Sequence, residues 1–168
     1  MLSAAIDYGT FFLATEIEGE VCRVVAGDLM EEAEFSLVSP EPNPKVSWVN
    51  YVMGVAVQLY QRGGVFGSRC SRSGGCRPFA ALLLGNVPLG SGLSSSAALE
   101  MSSALALCLL YGLSVPDLEL ARIGQRAEHE FAGVRTGLLD QISSLNGKKN
   151  NLILSDFRSL EIQNVPLG

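Results

Sequence analysis

Apolar and polar positions change rhythm several times along this chain. Residues 4–17 are rich in Phe, Thr and Ile and read as an extended segment. Residues 21–26 and 34–38 are two further short strand candidates, so the opening predicts a meander of antiparallel strands. Residues 39–45, SPEPNPK, carry three prolines that block regular structure. Trp48, Tyr51, Val52, Val55 and Leu59 then recur at helical spacing, with Ser47 placed to cap the helix and Gly63-Gly64 to end it. Residues 63–77 are poor in apolar side chains and rich in Gly, Ser and Arg, the composition of a flexible loop. Residues 78–85, PFAALLLG, form a short continuous apolar run typical of a buried strand.

A loop of small residues follows, and then a helix from about Ser96 to Tyr111. Ser114 begins the next helix, with Pro116 in its first turn and Asp117 at the positive end of its dipole. That helix runs to about Phe131, where Gly133 stops it. Residues 137–145 read as a short helix, and residues 151–156 and 160–167 as closing strands. No internal repeat is visible. Strands first and helices later predict an α+β fold rather than alternating βαβ units.

Composition narrows the class. The chain has 168 residues, 48% of them hydrophobic, enough for one domain with a sizeable core. A mean hydropathy of +0.28 fits a well-filled core or a surface covered by further chain. The net charge of −5 and the absence of a basic tract argue against a nucleic-acid partner. Arg62, Arg69, Arg72 and Arg77 cluster among Gly and Ser and read as a solvated loop. Cys22, Cys70, Cys76 and Cys108 show no Cys-x-x-Cys spacing, and a single histidine accompanies them, which disfavours zinc. Reduced thiols and a cytoplasmic location are the default expectation, with a Cys70–Cys76 disulfide as the alternative. The start MLSAAIDYGT shows no signal-peptide pattern, and the longest apolar run, residues 104–111, is too short to span a bilayer.

The candidate chemistry starts at residues 85–101, GNVPLGSGLSSSAALEM. Strand, glycine-rich loop and helix together are the architecture of an anion site. Glycines let backbone N–H groups approach an anion, and the N–H groups and dipole of the following helix favour negative charge. Ser94, Ser95 and Ser96 add hydroxyls, and Ser96 can also offer oxygen to a magnesium ion. The stretch lacks the Gly-Lys-Ser/Thr of a Walker loop and the third glycine of a dinucleotide fingerprint. The plain alternative is a turn with a serine N-cap.

A second cluster lies in residues 127–141, AEHEFAGVRTGLLDQ. Glu128 sits near the end of one helix and Asp140 near the start of the next, across a turn carrying Gly133 and Gly137. A helix reversal can bring both carboxylates to one site, one to hold a hard cation and the other to orient or deprotonate a hydroxyl. The alternatives are a solvated helix face for Glu128 and a dipole-satisfying carboxylate for Asp140. His129 reads as structural or surface. Glu100 reads as an exposed face residue, with a supporting role beside the nearby loop as the alternative. Trp48 and Tyr51 share a helical face, as core packing or as a stacking surface for a base.

These motifs resemble a known family. PLGSGLSSSAALE resembles the second signature motif of the GHMP small-molecule kinases. AEHEFAGVRTGLLDQISSLNG followed by DFRSLE resembles the galactokinases among them, and AAIDYGT and WVNYV agree. The resemblance implies a ribosomal protein S5 domain 2-like α+β fold, with a mixed or antiparallel sheet packed on helices. It implies that Gly90, Gly92, Leu93, Ser94, Ser95 and Ser96 hold the phosphates of ATP. Trp48 and Tyr51 match positions near the base, and Ser96 and Glu128 the pair that binds Mg2+. Asp140 matches the group beside the reacting sugar hydroxyl, and Gly137 a sugar neighbour. The implied reaction moves the γ-phosphoryl group of ATP to the anomeric hydroxyl of galactose.

The resemblance also implies an incomplete N-terminal kinase domain over residues 1–168. An earlier motif with an arginine and Gly-Glu-His-Thr-Asp-Tyr, a third glycine-rich motif and a C-terminal domain lie outside it. VRTG at residues 134–137 lacks the Pro-Cys often found there. Exposed apolar surface and weak or absent activity of this portion alone are the corresponding expectations. Other implied functions are a kinase for another sugar or a small alcohol, and a non-catalytic sensor of ATP and galactose.

Overall fold

The computed structural model describes residues 1–62, 78–88 and 90–167. The expected 63–77 loop, the Gly63-Gly64 helix stop and the Cys70–Cys76 pair lie outside the described residues. The strands are β1 (Leu2–Ser3), β2 (Thr10–Glu16), β3 (Cys22–Ala26), β4 (Glu31–Phe35), β5 (Phe79–Gly85), β6 (Asn151–Asp156) and β7 (Glu161–Pro166). The helices are α1 (Val49–Arg62), α2 (Ser95–Tyr111), α3 (Asp117–Ala127) and α4 (Leu139–Asn146). A π-helical turn, Glu128–Ala132, continues α3. Among the described residues no helix is long and apolar enough to cross a membrane.

The α+β expectation holds, but the opening meander does not form. β2, β5, β3 and β4 make a four-stranded sheet in that order, with β5 antiparallel to β2 and parallel to β3. The later strand inserts between two earlier ones because it is the most apolar. Phe79, Ala81 and Leu83 of β5 and Cys22, Val24 and Ala26 of β3 are all buried, and a central position covers such strands best. Of the extended segment expected over residues 4–17 only Thr10–Glu16 forms a strand, and β1 lies ahead of it in the other sheet. β1 pairs with β6, which pairs with β7, while β2 pairs with β5. The Ser155 N–H donates to the Met1 carbonyl at 2.9 Å, which ties the chain start to β6.

Two boundaries differ from expectation for clear reasons. β4 starts at Glu31 rather than Glu34, because its ladder runs from Ala26↔Glu31 to Cys22↔Phe35. Its exposed glutamates suit an edge strand and hide it from an apolar pattern. The helix expected from Ser114 starts at Asp117, with Pro116 extended at its cap (ψ 147°). A proline keeps the residue before it out of the helical region, so Val115 cannot belong to the helix. At the entrance of α1, the Asn50 N–H goes to the Ser47 carbonyl at 3.2 Å.

One core joins the inner face of the four-stranded sheet to α1, α2 and α3. The crossing of α1 and α3 is close: a Cβ at Gly54 would lie 2.7 Å from Ala127 Cβ and 2.8 Å from Ala127 Cα. Backbone on the far side cannot yield as a side-chain tip can. Gly54→Ala should therefore lower stability by about 1–3 kcal/mol, read from the midpoint of denaturant unfolding. An unchanged midpoint would mean that the two helices separate freely. Phe11↔Leu84 and Leu13↔Leu82 stand opposite one another on β2 and β5. All four are exposed, Phe11 to 69%, so this sheet carries an apolar outer face.

Candidate active site

The loop between β5 and α2 turns on three left-handed backbone positions, Gly90 (φ 68°), Gly92 (φ 75°) and Ser94 (φ 57°). A Cβ at either glycine would meet nothing within 4 Å, so a ligand can approach the bare backbone. Ser94 precedes α2 in a left-handed conformation, and its side chain makes no capping hydrogen bond. N-caps normally take the extended region and turn their oxygen onto the first N–H groups. Here the first-turn N–H groups of α2 have no helical partner and the dipole is positive at that end, which suits an anion.

Two clefts flank this loop. Gly92, Leu93, Ser94 and Asp140 line one of about 280 Å3, walled on the other side by residues 3–6 and Tyr8. Ser95 and Trp48 line the other, together with Asp28, Leu29 and Leu99. Val87 borders both. Asp140, the second residue of α4, thus shares a wall with the glycine–serine loop, while Trp48 lies on the loop's far side. Ser96, Glu128, Tyr51 and Gly137 line neither cleft.

Behind the clefts lies a buried polar cluster. Glu128, on the π-helical turn, is 2% exposed, which overturns a solvated helix face. Its Oε2 accepts from the Thr136 hydroxyl and, at 3.2 Å, from Gln141 Nε2. The same Nε2 donates at 3.0 Å to Glu100 Oε2. Glu100 is fully buried, contrary to the exposed position expected, because α2 packs against β2, α1, α3 and α4. Sequence reasoning assigned no role to Gln141 or Thr136. The available signal was Glu100 itself, a charged residue with Ala97 and Ala104 at helical spacing on its own face.

Burial pushes the Glu100 carboxyl up to about 9; the Gln141 hydrogen bond opposes this, and the negative Glu128 and Asp140 add to it. Glu100 therefore carries its proton at neutral pH. Glu100 Oε1 and Gln141 Oε1 are buried oxygens without a hydrogen-bond partner. The sign of the pH effect follows. The folded value lies above the ordinary 4.5, so the contribution is full below about 4.5 and is lost as pH rises through about 9. The stability gained by Glu100→Gln should thus grow between pH 5 and pH 9. Parallel unfolding curves of the two proteins check it, and a constant difference would contradict it.

Trp48 and Tyr51 are both partly buried and pack against the core, as one of the two expectations had it. Trp48 Nε1 donates to Glu31 Oε2 at 2.7 Å. The Tyr51 hydroxyl is held above its ordinary value by burial and by the Glu128 and Glu100 charges. His129 is structural, as expected: its Nε2 accepts from the Thr136 N–H at 3.2 Å and braces the turn before α4. Cys22 and Cys108 are free and buried, and burial pushes both thiols up to about 11.

Among the described residues no group of three or more His, Cys, Asp and Glu side chains forms a cation cage. Magnesium at a phosphate site needs only one or two carboxylates besides phosphate and water. The two side-chain hydrogen bonds to Glu128 both use Oε2; its Oε1 and the Ser96 hydroxyl are oxygen donors of the kind magnesium takes.

Comparison with known proteins agrees with this geometry. The pattern described as GHMP kinases N terminal domain matches residues 50–148. The chain is 32% identical to Lactococcus lactis galactokinase, solved in complex with galactose, at a TM-score of 0.84. That match covers 99% of this chain and 41% of the galactokinase. Methanococcus jannaschii mevalonate kinase is 16% identical at a TM-score of 0.72, over 98% of this chain and 48% of that one. A D-glycero-D-manno-heptose 1-phosphate kinase from Bacteriodes thetaiotaomicron is 18% identical at 0.72, over 100% and 51%. The last two share the fold alone, and the chain spans about half or less of each of the three. The chain belongs to the GHMP kinases, whose N-terminal domain it contains.

Proposed function

We propose that this chain is the nucleotide-binding part of a galactokinase, which converts ATP and galactose to ADP and galactose 1-phosphate. The observation that carries the reading is the shared cleft of Gly92, Leu93, Ser94 and Asp140. It sets an anion-binding loop beside a carboxylate. The 32% identity to a galactose-bound galactokinase favours galactose over other acceptors.

In this reading Gly90, Gly92, Leu93 and Ser94–Ser96 hold the triphosphate, and the cleft beside Trp48 takes the base. Ser96 and Glu128 would hold magnesium, which when bound neutralises charge on the transferring phosphates. Asp140 orients the anomeric hydroxyl and accepts its proton. The sugar oxygen forms the new bond to the γ-phosphorus as the bond to the ADP oxygen breaks. Gly137 lies outside the cleft wall, on the turn ahead of α4, and contributes as a neighbour of the sugar. Positioning and charge neutralisation dominate such a step.

A panel of acceptors with MgATP tests the assignment in the full-length protein: galactose, other hexoses, mevalonate and small alcohols. Galactose should give the highest kcat/KM. A higher value for another acceptor would replace galactokinase with a different GHMP kinase. Saturable binding of ATP and galactose without turnover would instead mark a sensor.

A further inference from the structure

The buried Glu100–Gln141 pair has no part in the reaction as described, yet it touches the carboxylate assigned to magnesium. The geometry points to Glu100 as a positioning residue that, through Gln141, fixes the orientation of the Glu128 carboxylate. This inference rests on the reading of Glu128 as a magnesium ligand.

Three observations carry it. Gln141 Nε2 spends one hydrogen on Glu100 Oε2 and the other on Glu128 Oε2, at 3.0 and 3.2 Å. A primary amide has only those two hydrogens, so the direction of one bond sets the direction of the other. Both Glu100 and Gln141 have no exposed surface, so water cannot replace either partner. Finally, the site is shaped around the pair. A Cβ at Gly124 would lie 2.8 Å from Glu100 Oε2 and 3.1 Å from Gln141 Cγ.

The consequence is a carboxylate with one oxygen committed and one released. Thr136 and Gln141 both hold Glu128 Oε2, which aims Oε1 away from them. Partners that orient a ligating group typically change metal affinity by about 10–100-fold when removed. A purely space-filling role for Glu100 would leave that affinity alone.

The test compares Glu100→Gln, Glu100→Met and Gln141→Met in the full-length protein. The first keeps the shape and an oxygen that accepts from Gln141 Nε2, the second keeps only the bulk, and the third removes the linking amide. Two quantities are read: proton exchange of the Gln141 side-chain amide by NMR, and Mn2+ affinity in the presence of ADP by electron paramagnetic resonance. The amide should exchange slowly in the parent and in Glu100→Gln, and rapidly in Glu100→Met. Mn2+ binding should weaken about tenfold or more in Glu100→Met and Gln141→Met, and stay within about twofold in Glu100→Gln. An amide equally protected in Glu100→Met, or Mn2+ affinity unchanged in both methionine variants, overturns the inference. Glu128→Gln serves as the reference. If it leaves Mn2+ binding unchanged, the magnesium role of Glu128 falls, and amide exchange still decides whether Glu100 holds Gln141.

Discussion

Asp140→Asn is expected to lower the rate of phosphoryl transfer by about 10²–10⁴-fold, with MgATP affinity nearly unchanged. Asparagine keeps the size of the side chain on the first turn of α4 but cannot accept a proton. Asp140 shares the cleft wall with Gly92, Leu93 and Ser94, whereas Ser95 and Trp48 face the opposite side of the loop. The base beside Trp48 should not sense the change, and the phosphates on the Asp140 side lose only a nearby negative charge, which leaves affinity equal or slightly higher. The negative charge of Asp140 also raises Glu100, so the variant should shift the Glu100 titration slightly downward. Steady-state kinetics and ATP calorimetry on the same preparation separate the outcomes. Loss of turnover with binding retained supports a catalytic carboxylate. Loss of both would make Asp140 a structural group at the start of α4, and loss of neither would remove it from the mechanism.

Phe79→Ala is expected to give the largest loss of stability, about 3–5 kcal/mol. Phe79 is fully buried at the first position of β5. Its ring meets Phe12 of β2 edge-on at 6.4 Å and Phe35 of β4 at 5.9 Å. One side chain therefore links the central strand to both outer strands of the sheet. Removing it leaves a cavity walled by strands held in their own ladders, which cannot collapse to fill it. Thermal unfolding should move down by roughly 6–20 °C. A shift under about 2 °C would mean that the core closes over the gap. β5 leads directly into the glycine–serine loop, so any remaining folded protein should bind nucleotide less tightly as well.

Much of the site was legible in the sequence because its signals are local. A strand, a run of glycines and serines and a helix lie within about thirty consecutive residues. The left-handed turns at Gly90 and Gly92 need only the residues that form them. Asp140 was legible for the same reason, as a carboxylate at a helix start after a glycine-bearing turn. The α+β class followed from the order of short strands and long periodic helices, and the family from the two motifs that carry this chemistry.

The chain by itself marked most of the strands and helices and the glycine–serine turn between β5 and α2. Periodicity, prolines and turn residues act over a few positions and need no partner. Tertiary structure alone decided that β5 enters between β2 and β3 and that Glu100 is buried. Glu100 and Gln141 lie 41 positions apart, and nothing near either names the other. Strand neighbours and buried polar pairs are chosen by what the packed whole can cover and satisfy, a condition that exists only once distant segments have met.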